Sequence, residues 1–135
     1  MTAAFPFPIT VQNFVTYFGF QILMSGTSEE VLFRSLVMVP LLLVGERGSM
    51  SSKTITIVVS SIATIIFMLA HINFTLFPFR ITYFNPLQQL TVLIFGYFYA
   101  YLFIKTRSII GPIVAHNLLN GVITVIGLML FLFIR

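Results

Sequence analysis

Few groups in this chain are able to do chemistry, and those few stand at helical spacings. Its 135 residues include only three carboxylates and two histidines. Glu29, Glu30 and Arg34 read Glu-Glu-x-x-x-Arg, Phe67 and His71 stand four apart, and so do His116 and Asn120. In an apolar chain, ionisable groups are retained where they act or where they hold something in place. Residues four apart lie one above the other on a helix, so Glu30 can pair with Arg34, and His116 and Asn120 present their polar groups together. Glu29 lies about 100° around the helix from Glu30. One acid can thus be held by Arg34 while the other points elsewhere, which separates a structural carboxylate from a working one.

Each of these residues also has a plain structural reading. Thr27-x-x-Glu30 fits a capping box, in which Glu30 serves only the first turn of a helix. His71 reads as an interfacial residue at a helix end. His116 and Asn120 lie inside an apolar span and need partners there, and a hydrogen bond to Glu29 or Glu30 across helices would satisfy them. Asn117 points off the His116–Asn120 face and takes no role. Glu46 reads as a loop acid, and Tyr97, Phe98, Tyr99 and Tyr101 around Gly96 read as packing and anchoring residues.

The elements that must position these groups follow from the apolar runs. A first stretch extends from about Ile9 to Met24, after Pro6 and Pro8, and Ser25-Gly26-Thr27-Ser28 is a break or a weak point in a longer helix. A second helix carries Glu29 to about Val44, and Gly45 to Lys53 form a polar loop. A third span runs from about Thr54 to Ala70, ending at His71. Residues 73–86 mix Phe, Tyr, Asn, Arg80 and Pro78, the composition of an interfacial or re-entrant loop. Pro86 suits the first turn of a fourth helix reaching about Ile104. After the basic turn Lys105-Thr106-Arg107, a last helix runs from about Ile109 to Ile134.

Composition sets the class. Charged residues are 7% of the chain, hydrophobic ones 59%, with 16 Phe and a mean hydropathy of +1.07. An ordinary soluble domain carries roughly 25% charged residues. The reading is an all-α, polytopic transmembrane bundle with four to five membrane-embedded helices, forming one domain over 1–135. Met1 to Gln12 lack the basic region and cleavage site of a signal peptide. The net charge of +4 is scattered over short loops, so no nucleic-acid partner is expected. Arg47, Lys53, Lys105 and Arg107 share one side and Arg80 and Arg135 the other, which places the first side in the cytoplasm. There is no Cys, so thiolate chemistry is unavailable.

The ordered set Glu29-Glu30-Val31-Leu32-Phe33-Arg34, Phe67 to His71 and His116 to Asn120 resembles the CPBP family (CAAX proteases and bacteriocin-processing enzymes, also called Abi), which includes the type II CAAX prenyl protease. Ser108 to Ala115 ahead of His116 and Gly96 on the preceding helix resemble the family's flanks. The likeness covers about residues 20–125. Family members usually carry additional N-terminal helices, which are largely absent here, and Ser35 stands where Gly is frequent. The resemblance implies an intramembrane endopeptidase. Glu29 would be the general base activating water with help from His71, and His116 and Asn120 would stabilise the oxyanion. Glu30 and Arg34 would fix the helix, and Phe67 would pack beside the site. No cofactor is expected. Because such enzymes are often labelled metalloproteases, the alternative is zinc or another divalent metal on Glu29, His71 and His116. The Asn120 donor favours the metal-free form, and the helical HExxH arrangement is absent. The implied partners are membrane lipids and a membrane-tethered peptide (a CAAX-like tail, a bacteriocin leader or a signalling peptide), in a bacterial plasma membrane. A non-catalytic immunity or regulatory protein on the same fold is the competing function. A proton-relay or transport module is the third, though no inverted repeat is visible.

Overall fold

The structure, a computed structural model, describes residues 7–133. Four helical rods form the bundle. The first combines α1 (Val11–Phe20), α2 (Gly26–Leu32) and α3 (Val39–Arg47), joined by wider π-turn stretches at Gln21–Ser25 and Phe33–Met38. The junction residues keep right-handed helical backbone angles, so 11–47 is one uninterrupted helix. The other rods are α4 (Ser52–Ala70), α5 (Pro86–Thr106) and α6 (Ile110–Phe133), each long and apolar enough to cross a membrane. The chain is thus an all-α, multi-pass membrane bundle.

Of the two readings of Ser25–Ser28, a break or a weak point in a longer helix, the break does not form: the helix continues, with a π-turn stretch at Gln21–Ser25. Thr27 Oγ1 donates to Leu23 O (2.8 Å) and Ser28 Oγ to Ser25 O (2.9 Å). These hydroxyls bond backward along the helix, so Thr27 is not its cap and the capping box is not made. The polar loop also shrinks. Helix α3 continues to Arg47 and α4 starts at Ser52, whose preceding Ser51 caps it by accepting from Thr54 N (3.1 Å). Glu46 therefore sits on a helix, where its Oε1 accepts from Arg107 Nη2 at 3.0 Å. That pair ties the two basic connections to one end of the bundle, and His71, which caps the far end of α4, lies at the other.

Between α4 and α5 the expected loop is a hairpin. β1 (Asn73–Leu76) pairs antiparallel with β2 (Phe79–Tyr83), with Leu76 opposite Phe79 and Phe74 opposite Ile81. Runs of β-branched and aromatic residues on both sides of Phe77-Pro78 favour strands, and Thr75 Oγ1 closes the turn on Pro78 O (2.9 Å). Both faces are exposed, with Phe77 96% and Phe79 73% open. Asn85 then caps α5, its Oδ1 accepting from Leu87 N (3.0 Å) and Gln88 N (3.2 Å), with Pro86 in the first turn. Helix α6 is described to Phe133, and Ile134, like Met1 to Pro6 and Arg135, lies outside the described residues.

Two apolar clusters hold the rods together. Met38, Leu42, Ile55, Val59, Ala63 and Ala100 pack toward the Glu46–Arg107 end. Phe33, Phe67 and Val92 pack beneath the polar groups. The second cluster positions the site: the Phe33 and Phe67 rings meet edge to face at 4.8 Å, and Phe67 meets the His71 ring the same way at 4.6 Å.

Candidate active site

Glu29 and Glu30 lie on α2, a short helical segment between the two π-turn stretches. Glu30 is fully buried and Arg34 nearly so. Arg34 donates from Nε to Glu30 Oε2 at 2.6 Å and from Nη2 to Oε1 at 3.2 Å, and its Nη1 reaches Met38 Sδ at 3.1 Å. Across the bundle His116 Nδ1 lies 2.9 Å from Glu30 Oε1. A buried ion pair is tolerable only when its remaining hydrogen-bonding positions are filled, and here His116 from α6 completes the set.

Glu29 has a different surrounding. Its side chain is 35% exposed, and Oε2 is buried without a hydrogen-bond partner. Two imidazole nitrogens face that oxygen, His71 Nε2 at 3.9 Å and His116 Nε2 at 3.7 Å. These separations exceed direct hydrogen bonds. The histidine tautomers follow from the far sides of the rings. His71 Nδ1 lies 2.8 Å from Phe67 O, a carbonyl that can only accept, so Nδ1 carries the proton. His116 Nδ1 faces a carboxylate held by Arg34 and likewise donates. In the neutral rings both Nε2 atoms present lone pairs toward Glu29 Oε2. Three acceptors converge, and a donor such as water fits among them.

Asn120, one helical turn beyond His116, donates from Nδ2 to Ser25 Oγ (3.2 Å). It lines one cavity of about 440 Å³ between the first rod, α4, α5 and α6, together with Glu29, His71, His116, Gln21, Gln88, Phe95 and Tyr99. The structure brings Glu29, His71, His116 and Asn120 to this cavity, sets Phe67 in its wall, and places the Glu30–Arg34 pair behind it. Among the described residues no group of three His, Asp or Glu side chains is arranged to hold a metal ion.

Ser25, Asn117 and Gly26 take parts that the sequence does not assign, and Tyr99, read as a packing residue, packs on the site itself. Ser25 holds Asn120. Asn117 donates to Thr27 Oγ1 (2.9 Å) and Leu23 O (3.4 Å), tying α6 to the first rod. Tyr99, 1% exposed, stacks on the His116 ring at 4.9 Å and 20°. Gly26 lets the backbones of α2 and α6 approach, because a Cβ there would stand 2.6 Å from Asn117 Oδ1 and 2.8 Å from His116 Cγ. A helix-interior Gly and an Asn deep in an apolar span were the available signals.

No curated protein and no solved structure matches the chain. A family model does, the type II CAAX prenyl endopeptidase Rce1-like model, over residues 11–122, which include Glu29, His71, His116 and Asn120. Matched over most of its length, on a bundle with three helices long and apolar enough to cross a membrane, the chain belongs to the Rce1-like family of type II CAAX prenyl endopeptidases, proteases of the CAAX type.

Proposed function

We propose that this protein hydrolyses a peptide bond in a membrane-tethered substrate, with Glu29 as the general base. The observation that carries the reading is the single carboxylate oxygen Glu29 Oε2, buried, unpartnered and faced by the Nε2 atoms of His71 and His116. A water among these groups donates one proton toward Glu29 and the other toward His71 Nε2. As its oxygen attacks the scissile carbonyl, Glu29 takes the proton, and it returns that proton to the leaving amine when the tetrahedral intermediate collapses. Asn120 Nδ2 donates to the oxyanion. His116 joins it only when Nε2 is protonated, since Nδ1–H is committed to Glu30. Glu30 and Arg34 take no part in proton transfer and fix the position of His116 and α2. A CAAX-like prenylated tail, a bacteriocin leader and a signalling peptide all present the required membrane-tethered segment.

The test uses purified protein in detergent with a farnesylated CAAX peptide and a library of unmodified peptides, each with and without a strong chelator. Cleavage that survives chelation and falls by about 10³ or more in Glu29→Gln, with thermal stability unchanged, supports the carboxylate mechanism. Cleavage retained in Glu29→Gln overturns it. Cleavage lost on chelation and restored by zinc replaces it with a metal mechanism. A cellular phenotype that survives both Glu29→Gln and His116→Ala favours the non-catalytic regulatory role.

A further inference from the structure

Helix α5 supplies one wall of the cavity through Gln88, Thr91, Val92, Phe95, Gly96 and Tyr99. Their spacing makes a stripe along a single face: Gln88 and Tyr99, eleven residues apart, differ by only about 20° around the helix. The stripe is mostly apolar and carries an unsatisfied acceptor near its beginning. Gln88 Oε1 is buried and has no hydrogen-bond partner. It is not competing for the helix end, because Asn85 Oδ1 already accepts from Leu87 N and Gln88 N. A buried amide oxygen without a partner on a cavity wall is a group whose hydrogen bond comes from what enters the cavity. At the other end of the stripe Tyr99 stacks on His116 and so marks the depth of the reacting groups.

The donor that such a wall takes is a main-chain N–H. The rise from Gln88 to Tyr99 is about 16 Å at 1.5 Å per residue. An extended peptide covers that distance in about five residues. The apolar residues between offer contact without sequence demands. We infer that α5 binds the backbone of the substrate, an extended peptide lying along this stripe, with Gln88 Oε1 accepting a substrate N–H about five residues from the bond that is cut. This rests on the peptidase reading, and it makes Gln88 a substrate-positioning residue, not a catalytic one.

The experiment measures binding of a fluorescent, farnesylated CAAX peptide to the Glu29→Gln chain, alongside a set in which one backbone amide at a time is N-methylated. Distances along the peptide are counted from the bond that the unsubstituted chain cuts. One methylated peptide, altered about five residues from that bond, binds about five- to tenfold more weakly, the loss of a single net hydrogen bond. Gln88→Leu weakens the parent peptide by the same factor and the methylated one no further, and in cleavage it raises KM while leaving kcat within about twofold. Equal binding of all methylated peptides overturns the inference, as do losses that add to Gln88→Leu. The methylation series reads the unsubstituted Gln88, so it stands even if Gln88→Leu fails to fold. Cleavage persisting in Glu29→Gln sinks the Glu29 assignment and leaves this inference in place. Glu29-dependent cleavage without position-specific amide dependence sinks this inference alone, and a peptide neither bound nor cut overturns both.

Discussion

A single methyl group added at Gly26 tests how the site is assembled. A Cβ there would stand 2.6 Å from Asn117 Oδ1, 2.8 Å from His116 Cγ and 2.9 Å from His116 Cβ. Carbon contacts settle at about 3.5–4.0 Å, so α2 and α6 must part by roughly 0.7 Å. That shift carries the 2.9 Å bond between His116 Nδ1 and Glu30 Oε1 beyond the range of a good hydrogen bond. A charge-assisted bond of this kind is worth about 1.5–3 kcal/mol, and alanine returns about 1 kcal/mol through helix propensity. The net loss of stability is therefore modest, roughly 0.5–2 kcal/mol. Activity should suffer more, since a misplacement approaching 1 Å costs on the order of 10²-fold. The assay pairs cleavage of a farnesylated CAAX peptide with thermal unfolding followed by tyrosine fluorescence, as the chain has five Tyr and no Trp. The expected result for Gly26→Ala is a kcat/KM lower by about 30- to 100-fold with a small drop in Tm. Adding Asn117→Ala relieves the 2.6 Å contact but neither contact to His116, so it restores little activity. Wild-type kcat/KM in Gly26→Ala would refute the idea that the α2–α6 spacing sets His116.

Three further substitutions separate the parts of the site. Arg34→Met leaves the buried Glu30 with His116 as its remaining partner and should cost about 3–5 kcal/mol, read as a lowered unfolding midpoint in detergent. Adding Glu30→Gln to it should recover much of that stability but not activity, because His116 loses its carboxylate. Gly96→Ala sets a Cβ 2.9 Å from Phe67 Cδ1, whose ring packs on His71. The expected cost is about 1–3 kcal/mol, and Phe67→Leu in the same chain should return part of it by making room. Asn120→Asp keeps the shape and lets Ser25 donate to the new carboxylate, yet removes the amide N–H groups; kcat should fall by about 10²–10³ with KM nearly unchanged.

What could be read in the sequence was local. Glu30 and Arg34 meet because they stand four apart on one helix, and that spacing holds even though Arg34 lies in a π-turn stretch. Partners on different helices were not legible. Both Glu29 and Glu30 were open choices for His116, and only the crossing of α2 with α6 puts Nδ1 on Glu30 and Nε2 toward Glu29. Asn117 was set aside because it lies off the His116–Asn120 face, but the first rod wraps far enough around α6 to meet it at Thr27. The Ser-Gly-Thr-Ser stretch reads as a break or a weak point because those residues compete for backbone bonds in water. In apolar surroundings every backbone group must be satisfied within the chain, so the hydroxyls turn back on their own helix and the rod continues. The hairpin is hidden by composition: aromatic residues anchor interfaces and also form strands, and Phe77-Pro78 is not among the two-residue connections that signal a hairpin.

The two adjacent acids illustrate how surroundings divide chemistry between identical groups. Protonating Glu30 would forfeit two contacts from Arg34 and one from His116, all within a region closed to water, so it is poorly placed to accept a proton. Glu29 Oε2 has no such contacts to lose. The same placement makes the two histidines unequal. His71 Nδ1 is anchored by a neutral carbonyl and His116 Nδ1 by a carboxylate. In the proposed mechanism His116 stands on the oxyanion side, with Asn120 one turn along the same helix, and His71 on the side of the water. His71 keeps a bare Nε2 for the water. The buried Glu30–Arg34 pair then acts, in the proposed mechanism, beyond holding a helix: by taking His116 Nδ1 it fixes that Nε2 is the nitrogen facing Glu29 and the cavity.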